Sequence, residues 1–196
     1  MPAARYYVAL CTVAFVPGAF LYWFSIHPFI HFWRRLGARA TLRLHLSAIL
    51  LLAVTVFLLR RRLLAVDFGT NAVLVALAIP FFAASLVLRV LVAKQLTNRI
   101  LSGLAELTPD SSASPLLTQG IYAHIQHPRY VQILLALLAI ALFTNYLATY
   151  VVFLLFALWI VPITRLEERE LRDRFGQPYQ DYSARVPRFI PRLRGH

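Results

Sequence analysis

Residues 119–132 read Q-G-I-Y-A-H-I-Q-H-P-R-Y-V-Q and place Tyr122, Gln126, His127, Pro128 and Tyr130 in a short polar run between two long apolar regions. A second polar run, R-L-E-E-R-E-L-R-D-R-F-G-Q-P-Y-Q-D-Y, begins at Arg165 and carries Glu167 and Glu168. Imidazole, phenol and carboxylate groups can bind a charged ligand, orient it, or exchange protons with it near neutral pH. Pro128 suits the first position of a helix, because its missing N–H is one the helix would leave unpaired and its φ is already set. A helix is therefore predicted to start there, and the unpaired N–H groups of its first turn would face the aqueous side as an anion site.

The acidic run divides on helical spacing. Glu168 precedes Arg172 by four residues and Glu170 precedes Arg174 by four, so both acids have ordinary partners on a solvated face. Glu167 instead has Ile163 and Leu171 at those distances and shares the apolar stripe that continues to Phe175. A carboxylate on a packed side requires a partner. Nothing local supplies one, so Glu167 is predicted to meet a ligand or the basic and imidazole groups near His127.

These groups must be positioned by a membrane protein. Of 196 residues, 60% are apolar and only 14% charged, too apolar for a soluble domain of this size. Five spans are predicted at about 6–26, 44–59, 71–92, 131–143 and 146–163, near the length that crosses a bilayer. The first lacks a charged leader and a cleavage pattern and reads as a retained helix. Thr144-Asn145 is the only break between the last two, which implies an antiparallel helical hairpin. The chain reads as one all-α integral membrane domain: three spans in 1–93, a polar Pro- and Ser-containing loop in 94–118, and the hairpin with a charged tail in 119–196.

The net charge of +12 belongs to residues beside apolar spans, so it signals topology and contact with anionic lipid rather than nucleic acid. With the C-terminus inside, the inner segments hold fifteen Lys and Arg and the outer segments four, Arg5 and Arg60 to Arg62. A cytoplasmic C-terminus follows, with 119–130 on the same face. Arg89 lies near the end of its span and is expected to snorkel to the surface. Cys11, the one cysteine, reads as a small buried hydrophobe, and no thiolate metal framework exists. His27 and His31, four apart, have no evident third ligand and read with Trp23 and Trp33 as interfacial residues, so no metal is expected.

The segment G-I-Y-A-H-I-Q-H-P-R-Y, the hairpin, and E-E-R-E-L-R-D-R-F-G-Q-P-Y-Q-D-Y-S-A-R-V-P-R-F-I-P together resemble the isoprenylcysteine carboxyl methyltransferase and phospholipid methyltransferase family. The resemblance covers about the last half of the chain; the first half matches only in being helical and apolar. It implies S-adenosylmethionine as cofactor, bound at the cytoplasmic face by Tyr122, Gln126, His127, Pro128, Tyr130, Glu167 and Glu168. It also implies a lipophilic or small acceptor entering from the bilayer, either an isoprenylcysteine-type carboxylate or a phospholipid amine. Two positions depart from the family pattern: Gln126 stands where an Arg precedes His-Pro, and Gln132 where a Gly is usual. Gln126 can still donate to a carboxylate but lacks the charge-assisted fork of Arg, a loss for which Arg129 could compensate.

The chemistry fits independently of the name. S-adenosylmethionine presents a carboxylate, an ammonium and a sulfonium, so its site needs donors, an acid and apolar walls. Methyl transfer is an in-line displacement that relies on alignment and exclusion of water. A general base is required only for a protonated acceptor; His127 is a candidate, although a binding role asks less of it. The rivals are an NADPH-dependent membrane reductase of the sterol reductase type, whose chains are generally longer, and a non-catalytic protein retaining the fold.

Overall fold

The computed structural model describes residues 2–26, 29–95 and 115–191. His27, Arg99 and most of the 94–118 loop lie outside the described residues, as does the side chain of His31. The protein is an all-helical, multi-pass membrane protein. Among the described residues, four helices are long and apolar enough to span a bilayer: α1 (Pro2–Ile26), α3 (Ala38–Leu63), α4 (Ala72–Ala93) and α6 (Leu147–Phe175). To these is added a shorter apolar helix, α5 (Pro128–Thr144). Between α1 and α3 lies the short α2 (Ile30–Leu36), and α7 (Gln177–Arg185) follows α6.

The helices are longer than the apolar stretches that announce them. α3 begins six residues before its predicted span and ends at Leu63 with Arg60, Arg61 and Arg62 in its last turn, since long basic side chains at a helix end reach the interface while their backbone stays helical. α6 passes through Pro162 and keeps its helix into the charged run, carrying Glu167 and Glu168 on the same rod as the last span. The turn between α5 and α6 is as short as expected but lies one residue later, at Asn145-Tyr146, with Thr144 still helical. Asn145 adopts the left-handed conformation (φ 53°) that a short polar side chain tolerates, and its N–H caps the Ala141 carbonyl.

α1 is the central rod, packing on α3, α5 and α6, while α4 packs chiefly on α5. Phe20 meets Phe156 edge-to-face at 4.5 Å across the α1–α6 contact. Most of α3 and α4 faces outward with exposed Leu, Val and Phe, which a bilayer covers. Cys11 is also on an exposed face and not among packed side chains, correcting its expected burial: the apolar environment is lipid, not protein. Arg89 is exposed, as snorkelling requires.

Close approach of α1 to α3 depends on Gly18, where an added Cβ would stand 3.0 Å from Ile49 Cγ1. Gly18→Val is expected to lower stability by about 1–3 kcal/mol through overpacking, read as a lower unfolding midpoint in detergent.

At the end of the bundle that holds the N-terminus, Arg5 is buried in α1. Its guanidinium donates to the Thr144 carbonyl at 2.9 Å, to Thr70 Oγ1 at 3.1 Å and to Asp67 Oδ1 at 2.5 Å. The 64–71 connection and the α5–α6 turn are stitched there by Phe68 N–H to the Asn145 carbonyl and Leu147 N–H to the Val66 carbonyl. The sequence treated Arg5 only as a topology signal, because its partners come from two distant connections.

Candidate functional site

The opposite end of the bundle holds the residues singled out from sequence. Pro128 occupies the first position of α5, with His127 as the residue before it. Upstream, residues 120–123 form a 3-10 turn entered through Gly120 at φ 59°. A Cβ at Gly120 would stand 2.5 Å from the Gln95 side-chain amide, which would have to shift, and the left-handed φ itself favours glycine there. Downstream of α7 the chain returns alongside this segment: Gln126 N–H donates to the Pro187 carbonyl at 2.9 Å and His127 N–H to the Arg188 carbonyl at 3.0 Å. The C-terminal segment is thus strapped over the entry to α5, with Phe189 stacked 5.7 Å from the His127 ring.

A cavity of about 320 Å³, within the usual range of small-molecule sites, opens between the start of α5, the charged end of α6 and α7. Tyr122, Gln126, His127, Pro128, Tyr130 and Glu167 all line it, and Trp23, Arg129, Arg174 and Phe175 complete much of its wall. Arg129 lies over the Trp23 ring at 4.3 Å and Arg174 over Phe175 at 4.8 Å, so each guanidinium is braced by an aromatic face.

His127 is only 4% exposed and stands between both acids. Its Nε2 is 3.2 Å from Glu168 Oε1, and its Nδ1 is 3.6 Å from Glu167 Oε2. Glu168 is held on its other oxygen by Arg188 Nη2 at 2.5 Å. The predicted solvated pairing of Glu168 with Arg172 is therefore corrected. Glu168 is buried, and its partners come from the loop before α5 and from the C-terminal strap, which spacing along one helix cannot reveal. It is also absent from the cavity wall. Glu167 is the acid that faces the cavity, with its side chain 32% exposed, yet its Oε2 is buried with no hydrogen-bond partner.

Gln126 borders the cavity but does not offer its amide to it. Nε2 donates to the Val186 carbonyl at 2.5 Å and the Ser183 carbonyl at 3.2 Å, and Oε1 accepts from Tyr179 at 3.4 Å. Both N–H groups are thus engaged by the tail rather than presented to the cavity. The uncharged amide fits a place where two carbonyls converge.

Two further residues were not foreseen. Tyr182 donates to the Tyr122 carbonyl at 2.8 Å and anchors α7 on the 3-10 turn, while Arg188 locks Glu168. Both sit in the tail motif, but only the fold brings them to His127. Burial, reinforced by nearby Glu167, pushes the Tyr122 phenol above its ordinary value, and burial pushes Tyr182 up to about 12. Both phenols therefore stay neutral and remain donors at physiological pH. Among the described residues, no three His, Cys, Asp or Glu come together to hold a metal ion.

The sequence pattern of the family described as phospholipid methyltransferase matches residues 73–178, from α4 through both acids of α6. Over 79 residues the chain is 40% identical to the cobalt-zinc-cadmium resistance protein CzcN of Cupriavidus metallidurans, covering 40% of this chain and 36% of that protein. Over 92 residues it is 38% identical to methanethiol S-methyltransferase 2 of Bradyrhizobium diazoefficiens, covering 45% of this chain and 32% of that protein. The chain spans about a third of the length of these curated relatives. No solved structure matches it.

Proposed function

Because this chain belongs to the phospholipid methyltransferase family, we propose that its cavity binds S-adenosylmethionine and that a methyl group passes from it to a small or lipophilic acceptor. The observation that carries this reading is the orphaned Oε2 of Glu167. A carboxylate with an unpartnered buried oxygen has an unmet demand for positive charge or a donor, and the cavity beside it is where a cationic ligand would meet that demand. S-adenosylmethionine brings two positive centres and one carboxylate. Glu167 suits the former, Arg129 and Arg174 the latter, and Trp23, Tyr122 and Phe175 supply flat apolar faces.

The bound group would supply an activated methyl on a sulfonium, so the protein's share is to hold, align and keep dry. Arg129 and Arg174 are pre-oriented by their aromatic neighbours, which lowers the cost of ordering them around a ligand. The strap formed by Val186 to Phe189 covers His127 from outside and limits water at that wall. The acceptor is drawn from the bilayer or from small molecules beside it. Isoprenylcysteine-type carboxylates and phospholipid amines belong to the first class. The name of the Bradyrhizobium relative adds a small thiol to the second. The excess of Lys and Arg at this end supports a cytoplasmic placement of the cavity and the C-terminus.

Calorimetry of the purified protein in detergent tests the proposal. Heat on titrating S-adenosylmethionine and S-adenosylhomocysteine, but not NADPH, is the expected result. A folded sample that binds neither would overturn it, and tight NADPH binding alone would make the protein a reductase.

A further inference from the structure

We propose that His127 is the general base of this site, held in one tautomer by Glu168 and Arg188, and that the acceptor it serves is a thiol. The inference rests on the cofactor reading above but reaches beyond it to the proton and therefore to the substrate class.

A neutral imidazole carries one N–H. Its Nε2 lies 3.2 Å from Glu168 Oε1, a buried carboxylate whose other oxygen is locked by Arg188. A carboxylate so placed accepts a hydrogen bond, which puts the proton on Nε2 and the lone pair on Nδ1. Nδ1 stands 3.6 Å from Glu167 Oε2, beyond hydrogen-bonding distance, and that oxygen has no donor. A proton arriving at Nδ1 gives Oε2 its missing partner and leaves an imidazolium between two carboxylates. The pair has room for one proton and a place to keep it. Glu168 and Arg188 act through His127 and are positioning residues; His127 itself lines the cavity.

A base of this kind has work only if the acceptor arrives with a proton. A carboxylate acceptor is already ionised near pH 7 and releases none on methylation. Between protic acceptors the acidities decide: a thiol near 8.5 is about two units more acidic than an alkylammonium near 10.4. Proton transfer to one and the same base is therefore about a hundredfold less unfavourable from a thiol than from an ammonium.

The balance is simple. The acceptor's S–H bond breaks and its proton goes to Nδ1. The sulfur pair forms the new bond to the methyl carbon as the carbon–sulfonium bond breaks, its electrons returning to the departing sulfur. The products are a methyl thioether, S-adenosylhomocysteine and imidazolium. The groups facing His127 that could share its titration are Glu167 and Glu168 of α6, Arg188 of the strap and Tyr130 of α5.

The test uses the full chain in detergent. Nitrogen NMR of ¹⁵N-histidine protein, assigned with a His127→Ala sample, should show a neutral His127 protonated at Nε2 and a proton added at Nδ1 as pH falls. Glu168→Gln should mix the tautomers, since a carboxamide can present either a donor or an acceptor to Nε2. A neutral form protonated at Nδ1 in the wild type would overturn the proposal, and this measurement needs no turnover. In parallel, methyl transfer is assayed to ethanethiol, to N-acetyl-S-farnesylcysteine and to phosphatidylethanolamine vesicles. The expected result is turnover of the thiol, falling at least a hundredfold in His127→Ala at saturating S-adenosylmethionine. S-adenosylhomocysteine binding with transfer only to the carboxylate or the amine would sink this inference alone; absence of S-adenosylhomocysteine binding would sink the cofactor reading with it.

Discussion

Glu167→Gln is expected to weaken S-adenosylhomocysteine binding roughly tenfold to a hundredfold with little loss of stability, whereas Glu168→Gln is expected to cost about 3 kcal/mol of stability. The two acids are adjacent in sequence, yet the helix turns one toward the cavity and the other into protein. Glu167 has an orphaned oxygen and no folded-state hydrogen bond to lose there, so its removal leaves the bundle intact. A ligand loses a charge-assisted contact of about 1.5–3 kcal/mol, which is the stated change in affinity. Glu168 holds the α5 entry and the C-terminal strap to one point. Breaking a buried ion pair costs about 3–5 kcal/mol; the lower end applies because Arg188 is 45% exposed and can turn to water. Thermal unfolding and limited proteolysis of the tail should register Glu168→Gln, and calorimetry should register Glu167→Gln. Equal effects on both readouts would refute this division of roles.

That division shows how far the sequence could be read. The heptad-like stripe of Ile163, Glu167 and Leu171 marked Glu167 as unlike its neighbours, because a 3.6-residue period is a local property of one helix. The same spacing gave Glu168 a plausible partner in Arg172 and so concealed its burial. A competing contact at Arg188, twenty residues away, is stronger because both carboxylate oxygens are used and water is excluded. The contacts of Gln126 were hidden for a related reason. Its family position suggested a ligand contact, but its two N–H groups meet carbonyls of the tail, whose return across residues 126–127 is set by the turn at Gly176 and by α7. The spans were legible because mean hydropathy depends only on composition, and Pro128 because its constraint on φ is covalent. Helix ends were less so, since charged turns continue a helix beyond the apolar core at no cost to its backbone hydrogen bonds.

Asp67→Asn, at the end of the bundle far from the cavity, is expected to lower stability by about 2–3 kcal/mol although it touches no candidate ligand. Arg5 is 3% exposed and cannot turn to water when its counter-charge is removed; the Thr144 carbonyl and Thr70 hydroxyl satisfy donors but do not neutralise it. A fully buried pair would cost more when broken, but Asp67 is 38% exposed, so solvent screens part of the loss. Arg5→Met alone leaves Asp67 free to hydrate and the Thr144 carbonyl without its donor, about 1–3 kcal/mol. If the ion pair is the source of the effect, the double variant Arg5→Met/Asp67→Asn should cost less than the two single losses added, because neither charge then remains. The pH dependence has a definite sign. Burial alone would raise the Asp67 carboxyl, but the Gly69 N–H at 2.8 Å and the Arg5 guanidinium outweigh it and hold the group below its ordinary value. Its contribution is therefore complete above the unfolded value, about 3.9, and is lost as pH falls through the lower folded value. Wild-type stability should drop on acidification below about pH 4 more steeply than that of Asp67→Asn, and parallel acid profiles would mean that the Arg5 pair does not hold this end together.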